Sequence, residues 1–323
     1  MRRSLFLFAL LALIISSFSF IQAQTPDAAI NLFKNAAKKT EKGDLDGAIE
    51  DYSRAIVLSS RLDTQKQPAR VSGHSFATSD GAATVDDSSD ITVINPFTAN
   101  AYNNRGLLRY RKGDYTGALA DYNEAIRIRP ALAEAYLNRA AALVATGDKL
   151  NGLKDLDRAL ALKKDFFQAY SNRGSLNHDL GHDKEALADL NRAVELNNRV
   201  ADTFYHRGYA NLALNNLDDS IKDFTRAIEM EFPQIAWAYQ GRGTTLMKKG
   251  LMQEAINDFN KALELNSEII WAYFNRGLAK VYLGNEDEAQ SDFDAVLKMQ
   301  PDLRRQVVEK VALARYLRRT GKQ

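Results

Sequence analysis

From Arg105 onward one residue keeps returning: Arg139, Arg173, Arg207, Arg242 and Arg276 follow at steps of 34 residues, with a single step of 35. Each arginine is followed by Gly106, Ala140, Gly174, Gly208, Gly243 or Gly277. Three residues ahead of it stands an aromatic: Tyr102, Tyr136, Tyr170, Phe204, Tyr239 or Tyr273. A fixed period of this size leaves few folds open. Each period is one supersecondary unit, which cannot bury its apolar face alone and must stack on its neighbours.

Within one period, Ala101 to Pro130, the spacing of Tyr102, Gly106 and the following apolar residues is helical. Lys112-Gly113-Asp114 predicts the stop: a cationic last turn, a glycine, and an acidic start for a second helix. That second helix carries Ala118, Tyr122 and Ala125 and ends before Pro130. The small-large-small triplet returns as Gly152, Leu156, Ala159, then Ala186, Leu190, Ala193, then Ser220, Phe224, Ala227, then Ala255, Phe259, Ala262, and last Ala289, Phe293, Val296. The turn returns at Gly147, Gly181, Asn215, Gly250 and Gly284. Small residues let two helix axes approach closely, and the large one fills the space between neighbouring pairs.

This pattern resembles the tetratricopeptide repeat, with its opening aromatic, small residue, glycine turn, and alanine-aromatic-alanine second helix. The resemblance implies an all-α fold, a right-handed α-α solenoid of helix-turn-helix repeats (a superhelix) whose first helices line a concave groove. It also implies a function in protein-protein interaction. Seven units are read, at 29–60, 99–132, 133–166, 167–200, 201–235, 236–269 and 270–303. The first is atypical, with Leu32, Ala36, Gly43, Ala48, Tyr52 and Ala55 in the matching columns but no N-R-G. The one extra residue is placed near Glu231-Phe232-Pro233.

Sixteen residues after every repeated arginine comes an aspartate: Asp121, Asp155, Asp189, Asp223, Asp258 and Asp292. A charge shared by every unit reads as architecture rather than chemistry. The expectation is an arginine-aspartate ladder, within a repeat or to the next, that fixes helix register.

The flanks are different. Residues 1–23 pair a basic start, Arg2-Arg3, with an apolar run from Leu5 to Phe20 and a small residue at Ala23. This reads as a signal peptide cleaved after Ala23, and hence a periplasmic or secreted protein; the alternative is an uncleaved membrane anchor. Residues 24–60 are the first unit, and 61–95 are rich in Ser, Asp, Ala, Thr and Gly and read as a flexible low-complexity insert. Units two to seven follow over 96–303. Residues 304–323 read as a basic capping helix and tail, with Leu303, Val307, Val311, Ala314 and Leu317 on one face.

Composition narrows function by exclusion. Losing Arg2 and Arg3 with the leader takes the basic count from 43 to 41, equal to the acidic count, so the mature chain is neutral. That balance lacks the footprint of a nucleic-acid binder. The absence of cysteine removes disulfides, thiolate metal sites and cysteine nucleophiles. His178 and His182 flank a turn glycine and lack a positioned base, so neither catalysis, a metal nor a cofactor is expected.

What remains is binding, through first-helix positions that vary between units. The candidates are Trp237, Trp271, Tyr205, Tyr209, Phe274, Tyr282, Arg111 and Lys248. Large aromatics with a polar edge are favoured in binding surfaces. Where related proteins grip a C-terminal carboxylate with lysine and asparagine, this sequence has Asn103, Leu107, Leu137 and Ala141, which does not support such a clamp. The sequence reading is a non-catalytic scaffold for a peptide or helical segment of an envelope or secreted protein, with no stable membrane span in the mature chain. A glycan or cell-surface ligand stacked on exposed aromatics is the alternative. The cationic tail adds a weak contact to anionic surfaces as a further option.

Overall fold

The computed structural model describes residues 26–65 and 96–321. The signal peptide and its cleavage point, His74 and most of the insert lie outside the described residues. Among those described, every regular element is helical.

The chain divides into two compact units, 1–163 and 164–323. The first holds three helix pairs: α1 (Pro26–Glu41) with α2 (Leu45–Gln65), α3 (Pro96–Arg111) with α4 (Tyr115–Ile128), and α5 (Ala133–Ala145) with α6 (Lys149–Leu162). The second holds four: α7 (Phe167–Asp179) with α8 (Asp183–Leu196), α9 (Ala201–Ala213) with α10 (Leu217–Glu229), α11 (Ile235–Lys248) with α12 (Met252–Leu265), and α13 (Ile270–Leu283) with α14 (Glu286–Met299). A short 3-10 turn, Pro301–Leu303, leads into α15 (Arg304–Thr320). Within each unit, consecutive pairs pack on one another.

One boundary differs from the sequence reading. Helix α2 continues five residues past Ser60, through a stretch with neither glycine nor proline to stop it. Pro96 opens α3, where its fixed φ suits the first turn of a helix and its missing N–H costs nothing.

The turns inside the pairs share one device. Gly43, Gly113, Gly147, Gly181, Gly250 and Gly284 all sit at φ between +80° and +92°, and Asn215 takes the same place at φ 65°. A left-handed residue lets the chain reverse within two or three residues, and asparagine is the side chain that tolerates it best after glycine. The extra residue of the long period is absorbed after α10, where Glu231 turns left-handed at φ 54° and Phe232 is buried.

The core is one column repeated. Tyr122, Leu156, Leu190, Phe224, Phe259 and Phe293 are each at most 5% exposed, flanked by buried small residues that are mostly alanine. They press against the glycine of the facing first helix. A Cβ on Gly243 would come within 2.8 Å of the Phe259 ring, and one on Gly277 within 2.8 Å of Phe293. The third repeat exchanges the small residues: Ala140 replaces the glycine, and Gly152 stands where the others have alanine or serine.

Each repeated arginine is fixed by its own aspartate and its own aromatic, and five of the six also by the preceding repeat. Its Nε and Nη2 fork onto the aspartate of its own repeat: Arg105 to Asp121 at 3.0 and 2.6 Å, Arg139 to Asp155 at 2.7 and 2.8 Å, and Arg173 to Asp189 at 2.8 and 2.7 Å. Arg207 to Asp223, Arg242 to Asp258 and Arg276 to Asp292 repeat the geometry. The guanidinium lies 5.3 to 5.7 Å from the centroid of the aromatic three residues before it, in all six cases.

The remaining nitrogen reaches the preceding repeat. Arg105 Nη1 donates to Ser53 at 2.9 Å, Arg139 to Asn123 at 2.7 Å, Arg207 to Asn191 at 3.1 Å, Arg242 to Thr225 at 3.0 Å and Arg276 to Asn260 at 2.7 Å. These acceptors sit two residues after the repeat's aspartate. The aspartate often gains a second partner from one turn further along the first helix: Arg109 at 2.9 Å, Asn177 at 3.3 Å, Asn211 at 2.9 Å and Lys280 at 3.0 Å. In the first repeat Lys39 alone plays the basic part, 2.7 Å from Asp51.

Two stability predictions follow from this packing. Arg242→Lys keeps the charge but cannot fork, and is expected to cost about 1–3 kcal/mol in urea unfolding, against about 0.5–1.5 kcal/mol for Thr225→Ala, which loses one neutral hydrogen bond. Gly243→Ala is expected to cost about 1–2 kcal/mol, overpacking outweighing the gain in helix propensity. Combined with Ala255→Gly, copying Ala140 and Gly152, it should cost less than the sum of the two single changes.

Candidate functional site

The eight binding candidates meet different fates in the structure. Seven belong to the second unit; Arg111 is in the first, exposed at the end of α3. On α11, Trp237, Gln240, Thr244 and Lys248 are spaced by three and four residues and so share one face. On α13, Trp271, Phe274, Leu278 and Tyr282 repeat that spacing. Hydrogen bonds tie α11 to both neighbouring first helices: Asn275 Nδ2 of α13 donates to Thr244 Oγ1 at 3.2 Å, and Tyr209 Oη of α9 donates to Gln240 Oε1 at 3.0 Å.

Trp237 and Trp271 are 38% and 42% exposed, so neither indole is sealed into the core. Phe274 is not available to a partner. It is 4% exposed, packed among Val281, Phe293 and Val307, with the Trp271 ring edge-on at 5.5 Å. The correction has a simple cause: α15 closes over this end of α13, and Phe274 is part of what it covers.

Tyr205 and Tyr209 are also committed inward. Tyr205 stacks on Phe232 at 4.6 Å, Tyr209 meets Phe224 edge-on at 4.9 Å, and the two tyrosines pack against each other at 5.1 Å. Burial raises both phenol pKa values above the ordinary tyrosine range. They are neutral aromatic walls with a hydrogen-bonding edge rather than acids or bases.

Lys248 and Tyr282 come together. They line a cavity of about 540 Å³ with Met247 and Met252, closed on one side by Leu317 of α15. The floor is apolar and deformable, since methionine fills irregular shapes. The rim is basic: Lys249 is also in the lining, and its ammonium pairs with exposed Asp218. Among the described residues, the Lys248 ammonium has only a long contact, 3.4 Å, to the Leu212 carbonyl. Burial raises the Tyr282 phenol as well.

The methionines were missed in the sequence because they do not recur between repeats, so a search for shared columns passes over them. The acceptors Ser53, Asn123, Asn191, Thr225 and Asn260 were missed for a related reason. Their column is conserved in hydrogen-bonding capacity but not in residue type.

The histidines are engaged elsewhere. His178 Nδ1 lies 2.6 Å from Asp183 and its ring stacks on Tyr209, while His206 bridges Ser175 at 3.1 Å and Asp202 at 3.4 Å. Among the described residues no group of three or more His, Asp or Glu side chains is arranged to hold a metal ion. The tail is partly spent too: Arg315 and Arg318 both grip Glu286, at 2.7 and 2.9 Å, which holds that carboxyl below its ordinary pKa. Among the described residues, no helix is long and apolar enough to cross a membrane.

Models of the family described as "TPR repeat" match residues 106–147, and models described as "Tetratricopeptide repeat" match residues 167–199, 201–233, 236–268 and 272–303. No curated protein matches the sequence. Among solved structures, a tetratricopeptide repeat protein from Parabacteroides merdae is 21% identical with a TM-score of 0.55, over 89% of this chain and 99% of its own. PilF of Pseudomonas aeruginosa is 16% identical with a TM-score of 0.56, over 63% of this chain and 92% of its own. The Cut9–Hcn1 assembly of the APC/C is 16% identical with a TM-score of 0.60, over 70% of this chain and 44% of its own. At these identities the likeness is one of fold. With repeat models on more than half of its residues and the same helix pairs throughout, the chain belongs to the tetratricopeptide repeat family.

Proposed function

We propose that this protein is an exported, non-catalytic scaffold that holds a peptide or helical segment of an envelope or secreted partner on the first-helix face of its second unit. Tetratricopeptide repeats characteristically serve protein interaction rather than catalysis, so the family supports the class of function. The observation that carries the finer reading is the coincidence on α11 and α13. At one end two indoles stand exposed, and at the other a methionine-floored cavity opens beneath two lysines. The eleven residue steps from Trp237 to Lys248 span roughly 16 Å of helix. That is room for a segment anchored by an apolar side chain in the cavity and covered by the indoles.

The exposed tryptophans also suit a second reading, in which they stack on sugar rings of a surface glycan. The free face of α15, where Val308 and Tyr316 stand exposed among Arg304, Arg305 and Arg319, is the place for a weak contact to an anionic surface.

Immobilised protein is expected to retain a specific envelope protein, and Trp237→Ala/Trp271→Ala or Lys248→Ala/Met252→Ala should lose it while keeping the helical circular dichroism of the wild type. Equal retention by the variants would remove this face from consideration. Tryptophan quenching by cell-wall saccharides, with no protein retained, would select the glycan reading. For export, mass spectrometry of the protein from the extracytoplasmic fraction should find a chain beginning at Gln24; an intact Met1 terminus in the cytoplasm would refute it.

A further inference from the structure

In six repeats, the wedge between the opening turn of the first helix and the second helix of the pair is occupied by the aromatic and the arginine of the clip. Tyr102, for instance, packs together with Ile126 and Ile128 against the buried Ala99, Ala125, Leu132 and Ala135, while Arg105 lies over its ring. The first repeat has neither residue. At the matching positions, 70 residues earlier, stand Leu32 and Asn35.

The shorter side chains leave a cavity of about 650 Å³ at this place, lined by Leu32 and Asn35 of α1 and by Val57 and Leu58 of α2. Val57 is 49% exposed there. Glu50 and Arg54 are also in the lining, and among the described residues no ion pair engages either of them. The molecule thus shows six times over what fills such a wedge, and leaves it open once.

We propose that this cavity docks a partner segment carrying an aromatic side chain next to a basic one, so that the partner supplies from outside what the later repeats supply themselves. The ring would rest on Leu32, Val57 and Leu58, with the Arg54 guanidinium over its face as every clip arginine lies over its own aromatic. The basic group would meet Glu50, the exposed carboxylate of the rim. This site is separate from the face of α11 and α13, and either can fail without the other.

The protein's own rule provides the control: Leu32→Tyr/Asn35→Arg restores the clip and fills the wedge from within. The probe is the blocked tetrapeptide Tyr-Asn-Asn-Arg, the sequence of residues 102 to 105, titrated into the full chain with the methyl groups of Leu32, Val57 and Leu58 followed by NMR. Saturable shifts of the three methyls are expected in the wild type. The filled variant, which should unfold at a higher temperature, is expected to bind at least about tenfold more weakly. Glu50→Gln should weaken this peptide but not its Tyr-Asn-Asn-Asn analogue. Absent shifts at these methyls, or equal binding by the filled variant, would overturn the proposal. So would a concentration-dependent dimer of the wild type that the filled variant abolishes, which would give the face to a second copy of the chain.

Discussion

The fork between each arginine and the aspartate sixteen residues later is the interaction on which the repeats depend. It joins the two helices of a pair at one fixed register, under a side-chain exposure of the aspartate no greater than 11%. A half-buried ion pair of this kind adds little net stability relative to a well-packed apolar pair, because desolvation offsets most of its attraction. Its effect is specificity. Sliding one helix along the other by a single residue would strand a charge, whereas the alanines and aromatics around it would tolerate small slips.

The same guanidinium serves three interfaces at once: its own aromatic, its own aspartate, and the preceding repeat's short polar side chain. Arginine is the one residue with a planar fork, a delocalised face and a spare donor, so the position does not accept lysine. In the first repeat, where the column holds Asn35, the aspartate turns to Lys39 and the wedge is left open. The absence of the clip's aromatic and arginine thus leaves both an altered ion pair and a cavity.

Most of the fold was legible because repetition averages out local ambiguity. Any single Gly106 or Ala118 is a weak signal, but the same residue class at six matched places identifies a packing column. The ladder partners were legible for the same reason, down to the spacing. Binding positions are different by nature, since they are the places where repeats disagree. Variation alone could not separate Phe274, buried beneath α15, from Trp271 three residues earlier, which is exposed. That distinction depends on a helix outside the period. The methionine cavity was invisible for a similar reason, being assembled from α11, α12, α13 and α15 at residues with no counterpart in the other repeats.

The third nitrogen of Arg105, Arg139, Arg207, Arg242 and Arg276 points one way only, toward the predecessor. Since the repeats of Arg105, Arg207 and Arg242 also carry a short polar acceptor for their successors, Asn123, Thr225 and Asn260, one such period of sequence contains both halves of the joint. A duplicated unit spliced between two others would therefore meet a matching acceptor on one side and offer one on the other. Growth or shrinkage of the array by such units leaves no donor stranded, so duplication of one of them changes the length of the array without first having to repair its seams.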